Sequence, residues 1–175
     1  MAKGKIYVGT SGWNYKHWKS NFYPEKLKPN EWFEYYAGVF DSAEINNSFY
    51  KLPEKKTFRN WRDKAPSNFT FAVKANRYIT HMKKLKDPEE PISNFMENVQ
   101  ELKGKLGSIL FQLPPRWGCN TERLNNFVET LPDKYRYAIE FRDDSWWNDD
   151  VYSILKENKI AFCIFDLERR TSPKE

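Results

Sequence analysis

Phe69-Thr70-Phe71-Ala72-Val73-Lys74-Ala75-Asn76-Arg77 is the stretch on which the fold turns. Bulky side chains alternate at 69, 71 and 73, the period of a β-strand with one buried face. The run then breaks into Lys74, Asn76 and Arg77, so the strand ends in polar and charged groups. The same construction recurs on both sides of it. Upstream lie Ile6-Tyr7-Val8-Gly9, which reads as a short buried strand running out into Thr10-Ser11-Gly12-Trp13, and Ser42-Ala43-Glu44-Ile45-Asn46. Downstream lie Gly107-Ser108-Ile109-Leu110-Phe111-Gln112, closed by Leu113-Pro114-Pro115, and Tyr137-Ala138-Ile139-Glu140-Phe141 followed by Arg142. Ala161-Phe162-Cys163-Ile164-Phe165-Asp166 is the last.

Helical patterns separate these strands. Pro29 opens a helix with an apolar face of Trp32, Phe33 and Tyr36, and Pro53 begins another carrying Phe58 and Trp61 that Pro66 stops. Ile92, Phe95, Val99 and Leu102 mark an amphipathic helix. Leu124, Phe127, Val128 and Leu131 mark a second, from near Thr121 to Pro132, and Val151, Tyr152, Ile154 and Leu155 a short third. Strand-helix alternation predicts a parallel sheet with helical crossovers. A doubly wound open sheet is the alternative, but no Gly-rich dinucleotide fingerprint follows the first strand, and no cofactor is expected. An eight-unit barrel typically takes about 250 residues, so 175 residues hold roughly three quarters of one. The fold class expected is α/β and TIM-barrel-like, a single domain over residues 1–175 with about six of eight strands and the C-terminal strands missing.

Aromatic residues make up 17% of the chain while Leu, Ile and Val are sparse, so the core is built from rings. The net charge of +5 and a pI near 9.0 favour acidic partners. With 29 basic against 24 acidic residues, the excess is mild and also serves solubility. Cys119 and Cys163 belong to no CxxC pattern and suit a reducing compartment. Met1-Ala2-Lys3-Gly4-Lys5-Ile6 carries no signal-peptide core, and no apolar run approaches the ~20 residues of a membrane span. The expectation is a cytoplasmic protein without a membrane partner, prone to self-association if an incomplete barrel leaves strand edges open.

Gly9-Thr10-Ser11-Gly12-Trp13-Asn14-Tyr15 with Trp18, then Phe22-Tyr23-Pro24, Glu44-Ile45-Asn46-Asn47-Ser48-Phe49-Tyr50 and Phe71-Ala72-Val73-Lys74-Ala75-Asn76-Arg77-Tyr78-Ile79-Thr80-His81 form an ordered series of blocks. Leu110-Phe111-Gln112-Leu113-Pro114-Pro115-Arg116 and Glu140-Phe141-Arg142 with Ser145-Trp146 continue it. The series resembles the DUF72 (YecE-like) family, whose function is not established. The resemblance implies a TIM-barrel-like fold, similar to the barrels of the endonuclease IV and xylose isomerase group. Family members continue through further strands, with a Tyr/Arg/His-Gly segment and a late Asn-containing segment that are absent here.

In such barrels the loops after the strands gather on one face and build the active site. Glu44 and Glu140 end apolar strands and are the candidate catalytic carboxylates, suited to acid–base work or to paired-carboxylate glycoside hydrolysis. A structural ion pair with Lys74 or Arg142 is the plainer role for them. Lys74, Arg77 and Arg142 form a candidate cationic set for an anion, or else neutralise Glu44, Glu140 and Asp166. His81 is a candidate general base, supported mainly by its family block; His17 is a weaker one. Thr10 and Ser11 offer a turn for an anion, Asn46 and Gln112 orient a polar ligand, and Trp13, Tyr15 and Tyr50 are candidate stacking surfaces. A mixed site from Glu44, His81, Glu140 and Asp166 is the conceivable metal set, but two histidines and no HxxxH or HxH pair argue against it, and no metal is assigned. The function expected is a polar, cationic pocket, hydrolysing a phosphorylated or nucleic-acid ligand. The alternatives are a non-catalytic nucleic-acid-binding module using Lys16, Lys19, Lys26 and Lys28 among the rings of residues 13–28, and a glycoside hydrolase.

Overall fold

Six short parallel strands, taken in chain order, form one sheet in the computed structural model, which describes residues 4–168 and 170–174. They are β1 (Gly9–Thr10), β2 (Ser42–Ile45), β3 (Thr70–Lys74), β4 (Leu106–Gln112), β5 (Arg136–Glu140) and β6 (Ala161–Phe162). Every pairing is parallel, and neighbours in the sheet are neighbours in sequence. A doubly wound sheet reverses its strand order at a switch point, and this one never does. Right-handed crossovers stepping always in one direction put the helices on one face, the construction of a TIM-type barrel.

The strand side chains divide accordingly. In β2 and β3 the alternate residues Ala43, Ile45, Phe71 and Val73 are buried, while Ser42, Glu44, Ala72 and Lys74 on the opposite face are half-buried. The helices that cover the buried face are α1 (Trp32–Ala37), α2 (Asn47–Tyr50), α3 (Lys55–Lys64), α4 (Glu89–Val99), α5 (Thr121–Glu129) and α6 (Asp149–Glu157). Each buries the stripe its spacing predicts: Trp32, Phe33 and Tyr36 in α1, Ile92, Phe95 and Val99 in α4, Leu124, Phe127 and Val128 in α5. Rings meet rings across the layers, with Phe33 stacked on Phe71 (centroids 5.8 Å apart) and Phe111 edge-on to Phe127 (4.9 Å). Fully burying a Phe is worth about 1.5–3 kcal/mol, so aromatics replace the sparse aliphatics without loss of core energy. Asn120 and Asn148 cap α5 and α6 by accepting from the amides of Arg123 and Val151.

Three expectations need correction. Ile6-Tyr7-Val8 is not buried strand: Ile6 is 84% and Val8 63% exposed, and pairing is confined to Gly9 and Thr10. Among the described residues β1 is an edge with β2 on one side only, so the residues that precede it have no second strand to pack against. The last sheet strand does not run to Asp166; it stops at Phe162. Residues 163–165 leave the sheet, and Asp166–Leu167 (β7) pairs antiparallel with Arg170–Thr171 (β8) as a separate ribbon. Asp166 is thereby drawn away from the strand ends, its carboxylate accepting from Thr171 Oγ1 at 2.6 Å. Finally, α2 forms where the sequence shows only a strand end. No helix among the described residues is long and apolar enough to cross a membrane. The reading of Met1-Ala2-Lys3 and of Glu175 lies outside the described residues.

Gly9 makes a closer approach to its neighbouring strand than Gly107, the other glycine of the sheet. A Cβ there would lie 2.2 Å from Ser42 O on the neighbouring strand, so no other residue fits without separating β1 from β2. Gly12, at φ +99°, turns the chain off β1 in a conformation that disfavours any side chain.

Candidate functional site

The inward phase of the strands delivers one polar side chain after another to the C-terminal ends. Glu44 of β2 and Lys74 of β3 stand on the same face, two residues apart in register. Gln112 of β4 is paired with Glu140 of β5, and Cys163 follows the end of β6 with its amide bonded to Ile139 O at 2.8 Å. Ser11, just past β1, donates to Glu44 Oε1 at 3.1 Å.

The end of β3 is fixed by α2. The buried Ser48 hydroxyl lies 2.6 Å from Lys74 O and 3.0 Å from Ile45 O, bridging two strand ends. Asn76 donates to Ser48 O (3.0 Å) and accepts from the Tyr78 amide (2.8 Å), starting the π-helical turn Tyr78–Met82 that carries His81. Such turns are rare and recur at functional positions. Phe49, also on α2, then sits between two site groups: the Lys74 ammonium is 4.8 Å from its ring centre and the His81 ring 5.0 Å away, edge to face. Lys74 donates to Gln112 Oε1 at 2.5 Å.

The charges sort unevenly. Glu140, buried at the end of β5, is engaged by Arg142, whose guanidinium also lies 4.4 Å over the Phe165 ring. Lys74 and Arg77 have no ion-pair partner among the described residues. Their positive charge is felt by His81: burial first, then Lys74 and Arg77, hold its pKa below the usual histidine value and keep the imidazole neutral. On the opposite side of the rim, Cys163 lies 3.8 Å from Glu140 Oε2. Burial and the carboxylates of Glu140 and Glu44 push its thiol up to about 12, so it stays protonated.

The predicted residues therefore fall into three groups. Ser11, Trp13, Tyr15, Glu44 and Asn46 line one cavity of about 270 Å³ above β1 and β2. Lys74, Gln112, Arg77 and His81 gather above β3 and β4, and Glu140 and Arg142 above β5. Within the first group Trp13 is also a core residue, packed on Phe33 (4.9 Å) and Trp61 (5.6 Å). Thr10 serves the fold: its amide and hydroxyl both contact Tyr36 Oη, at 2.9 and 3.0 Å. Tyr50 is 73% exposed, with its ring against Phe49. His17 lies exposed in the turn Lys16–Trp18, with its ring 5.5 Å from that of Tyr15 and directed to the outer side of the first group's loop. No three or more His, Cys, Asp or Glu side chains among the described residues are grouped to hold a metal ion. Sequence reasoning overlooked Ser48 as a clamp and set Cys163 aside as an unpatterned thiol; its inward phase, two residues after Ala161, was the available signal.

A singly wound parallel sheet with its polar groups at the strand C-terminal ends defines a barrel-type α/β protein. The chain belongs to the DUF72 family, described as a protein family of unknown function, whose model matches residues 7–175. It is 27% identical over 138 residues to the UPF0759 protein YecE of Escherichia coli strain K12 and equally to that of strain O157:H7, covering 78% of this chain. The chain spans about half the length (48%) of these relatives. The crystal structure of a DUF72 family protein from Thermotoga maritima superposes with a TM-score of 0.79 at 35% identity, over 89% of this chain and 63% of that one. A DUF72 family protein from Enterococcus faecalis gives 0.72 at 22% identity over 95% and 66%, a likeness of fold.

Proposed function

We propose that the strand-end face binds a phosphorylated or otherwise anionic ligand at Lys74, Arg77 and His81 and hydrolyses it with Glu44 as base. The observation that carries this reading is the unneutralised positive charge at the end of β3. Glu140 is paired with Arg142, and among the described residues neither Glu44 nor Glu140 forms an ion pair with Lys74 or Arg77. A neutral imidazole beside two cations gains a favourable partner when an anion arrives. The cavity at Glu44 lies on the adjacent strand and holds the rest of the ligand. There the carboxylate takes a proton from the attacking water as the water oxygen bonds to phosphorus and the bond from phosphorus to the ester oxygen breaks. His81, protonated once the bound anion stabilises the imidazolium, gives that oxygen its proton, after which Glu44 loses its proton to solvent and His81 returns to its resting state. Replacement of Glu44 by Gln abolishes turnover across a panel of phosphate esters while inorganic phosphate still binds; unchanged turnover would refute the role of Glu44.

The exposed Lys16, Lys19 and Lys26 favour a second reading, contact with a nucleic-acid backbone. The neighbouring rings contribute less to it than their spacing suggests, since Tyr23 is 1% exposed and stacks on Trp32 inside the core. Glycoside hydrolysis draws less support, because Glu140 is already held by Arg142.

A further inference from the structure

The cavity above β1 and β2 holds polar groups to which the anion reading gives no task. Asn14, Asn46 and Asn47 line it, and none of their side-chain amides has a hydrogen-bond partner among the described residues. Each amide offers two donors and an acceptor. Trp13, Tyr15 and Trp61 supply an apolar wall. At about 270 Å³ the cavity falls just below the range of about 300–1,000 Å³ that holds drug-sized ligands, so the space suits one small ring. The strand register sets that ring beside the cations. Glu44 is opposite Ala72 and Ile45 opposite Val73, so the next residue, Asn46, leaves β2 level with Lys74 at the end of β3. Neighbouring strands run about 4.8 Å apart, and the Ser48 hydroxyl ties these two ends together through Ile45 O and Lys74 O.

We propose that the ligand is the phosphate ester of a small polyhydroxylated ring, a pentose or hexose phosphate. Its phosphate lies at Lys74, Arg77 and His81, and its hydroxyls bond the amides of Asn14, Asn46 and Asn47. The inference rests on the anion reading and names the chemical class of the rest of the ligand. Almost every carbon of such a ring carries a hydroxyl that both donates and accepts, and an amide, which also does both, meets it in either orientation. The C–H face of the ring needs only a patch of aromatic carbon. A nucleobase fits less well, because it stacks on a free aromatic face. Two of the rings here are already packed on others: Trp13 on Phe33 at 4.9 Å and on Trp61 at 5.6 Å, and Tyr15 on Trp18 at 4.9 Å. An apolar ester also fits less well, since it would take water from three amides and give them no partner.

Calorimetry on the full chain compares inorganic phosphate, the primary phosphates of ribose and of glucose, cyclohexyl phosphate and adenosine monophosphate. At least one of the two sugar phosphates is expected to bind about tenfold or more tighter than inorganic phosphate and than cyclohexyl phosphate. Asn46→Ala and Asn47→Ala each remove about three- to tenfold of that gain and leave the binding of inorganic phosphate where it was. The side chains removed make no hydrogen bond among the described residues, so both variants fold as the parent does. Four results would overturn the assignment while the anion reading stands: sugar phosphates that bind no tighter than inorganic phosphate, a cyclohexyl ester that matches them, adenosine monophosphate that binds tighter than the ribose phosphate, or a gain that survives both substitutions. Failure of every probe, inorganic phosphate included, would overturn the anion reading and this inference with it.

Discussion

Lys74 donates its hydrogen bond to the neutral side-chain oxygen of Gln112, 2.5 Å away, and to no carboxylate among the described residues. A lysine at the end of a barrel strand commonly finds an acid to pair with, and two acids, Glu44 and Glu140, stand on the same rim. Both are committed elsewhere, to Ser11 and Arg142. The positive charge of Lys74 therefore bears on its neighbour His81 across the ring of Phe49.

That arrangement predicts a response to charge removal. Replacing Lys74 by Met raises the pKa of His81 and weakens inorganic phosphate binding by about tenfold or more, as loss of a charge-assisted contact should. Calorimetry and imidazole NMR check the two effects separately. Only His17 accompanies His81 in the spectrum, which makes the assignment simple.

The lowered pKa of His81 also has a thermodynamic sign. In the unfolded chain histidine titrates near 6.5, and in the fold it titrates below that value. The native state therefore binds fewer protons in this window. The stability that His81 contributes is present above about pH 6.5 and is lost as pH falls through its folded pKa. Urea midpoints for His81→Gln should fall less between pH 7 and pH 5 than those of the parent.

Cys163 should be a slow nucleophile. With its thiol near 12, about one molecule in ten thousand carries the thiolate at pH 8. Alkylation by iodoacetamide, followed by peptide mass spectrometry, is expected to lag far behind a free thiol, and Glu44→Gln should speed it by removing one of the opposing charges.

Tyr36 ties β1 to the rest of the sheet. Its hydroxyl receives the Thr10 amide at 2.9 Å and donates to Ser42 O at 2.9 Å, in a fully buried position. Tyr36→Phe leaves these groups short of partners and should cost about 1–3 kcal/mol, read as a shift in the urea midpoint. Gly9→Ala acts at the same joint by crowding Ser42 O and should cost about as much.

Much of this was legible in the sequence. The alternation at Phe69, Phe71 and Val73 and the helical stripes of Ile92 to Leu102 and Leu124 to Leu131 are large signals, because each positions several buried side chains at once. The polar strand ends were equally plain. What escaped is decided by partners distant in the chain. Ile6 and Val8 are apolar enough for a buried strand, but burial needs a neighbour that the edge lacks. The segment from Cys163 to Asp166 has strand composition yet leaves the sheet to pair with Arg170–Ser172, a partner that its own residues do not announce. The division of charges was also hidden: Arg142 sits two residues from Glu140 and takes it, whereas Lys74 is left to Gln112, and only the register of β3, β4 and β5 decides that.

The anion reading is tested most directly by titrating His81 by NMR with and without inorganic phosphate. An anion held by Lys74 and Arg77 stabilises the imidazolium, so the account predicts a saturable upward shift of the His81 pKa that is lost in Lys74→Met, while His17 is unmoved. A His81 pKa indifferent to phosphate at about 10 mM, or one that shifts equally in Lys74→Met, would contradict it.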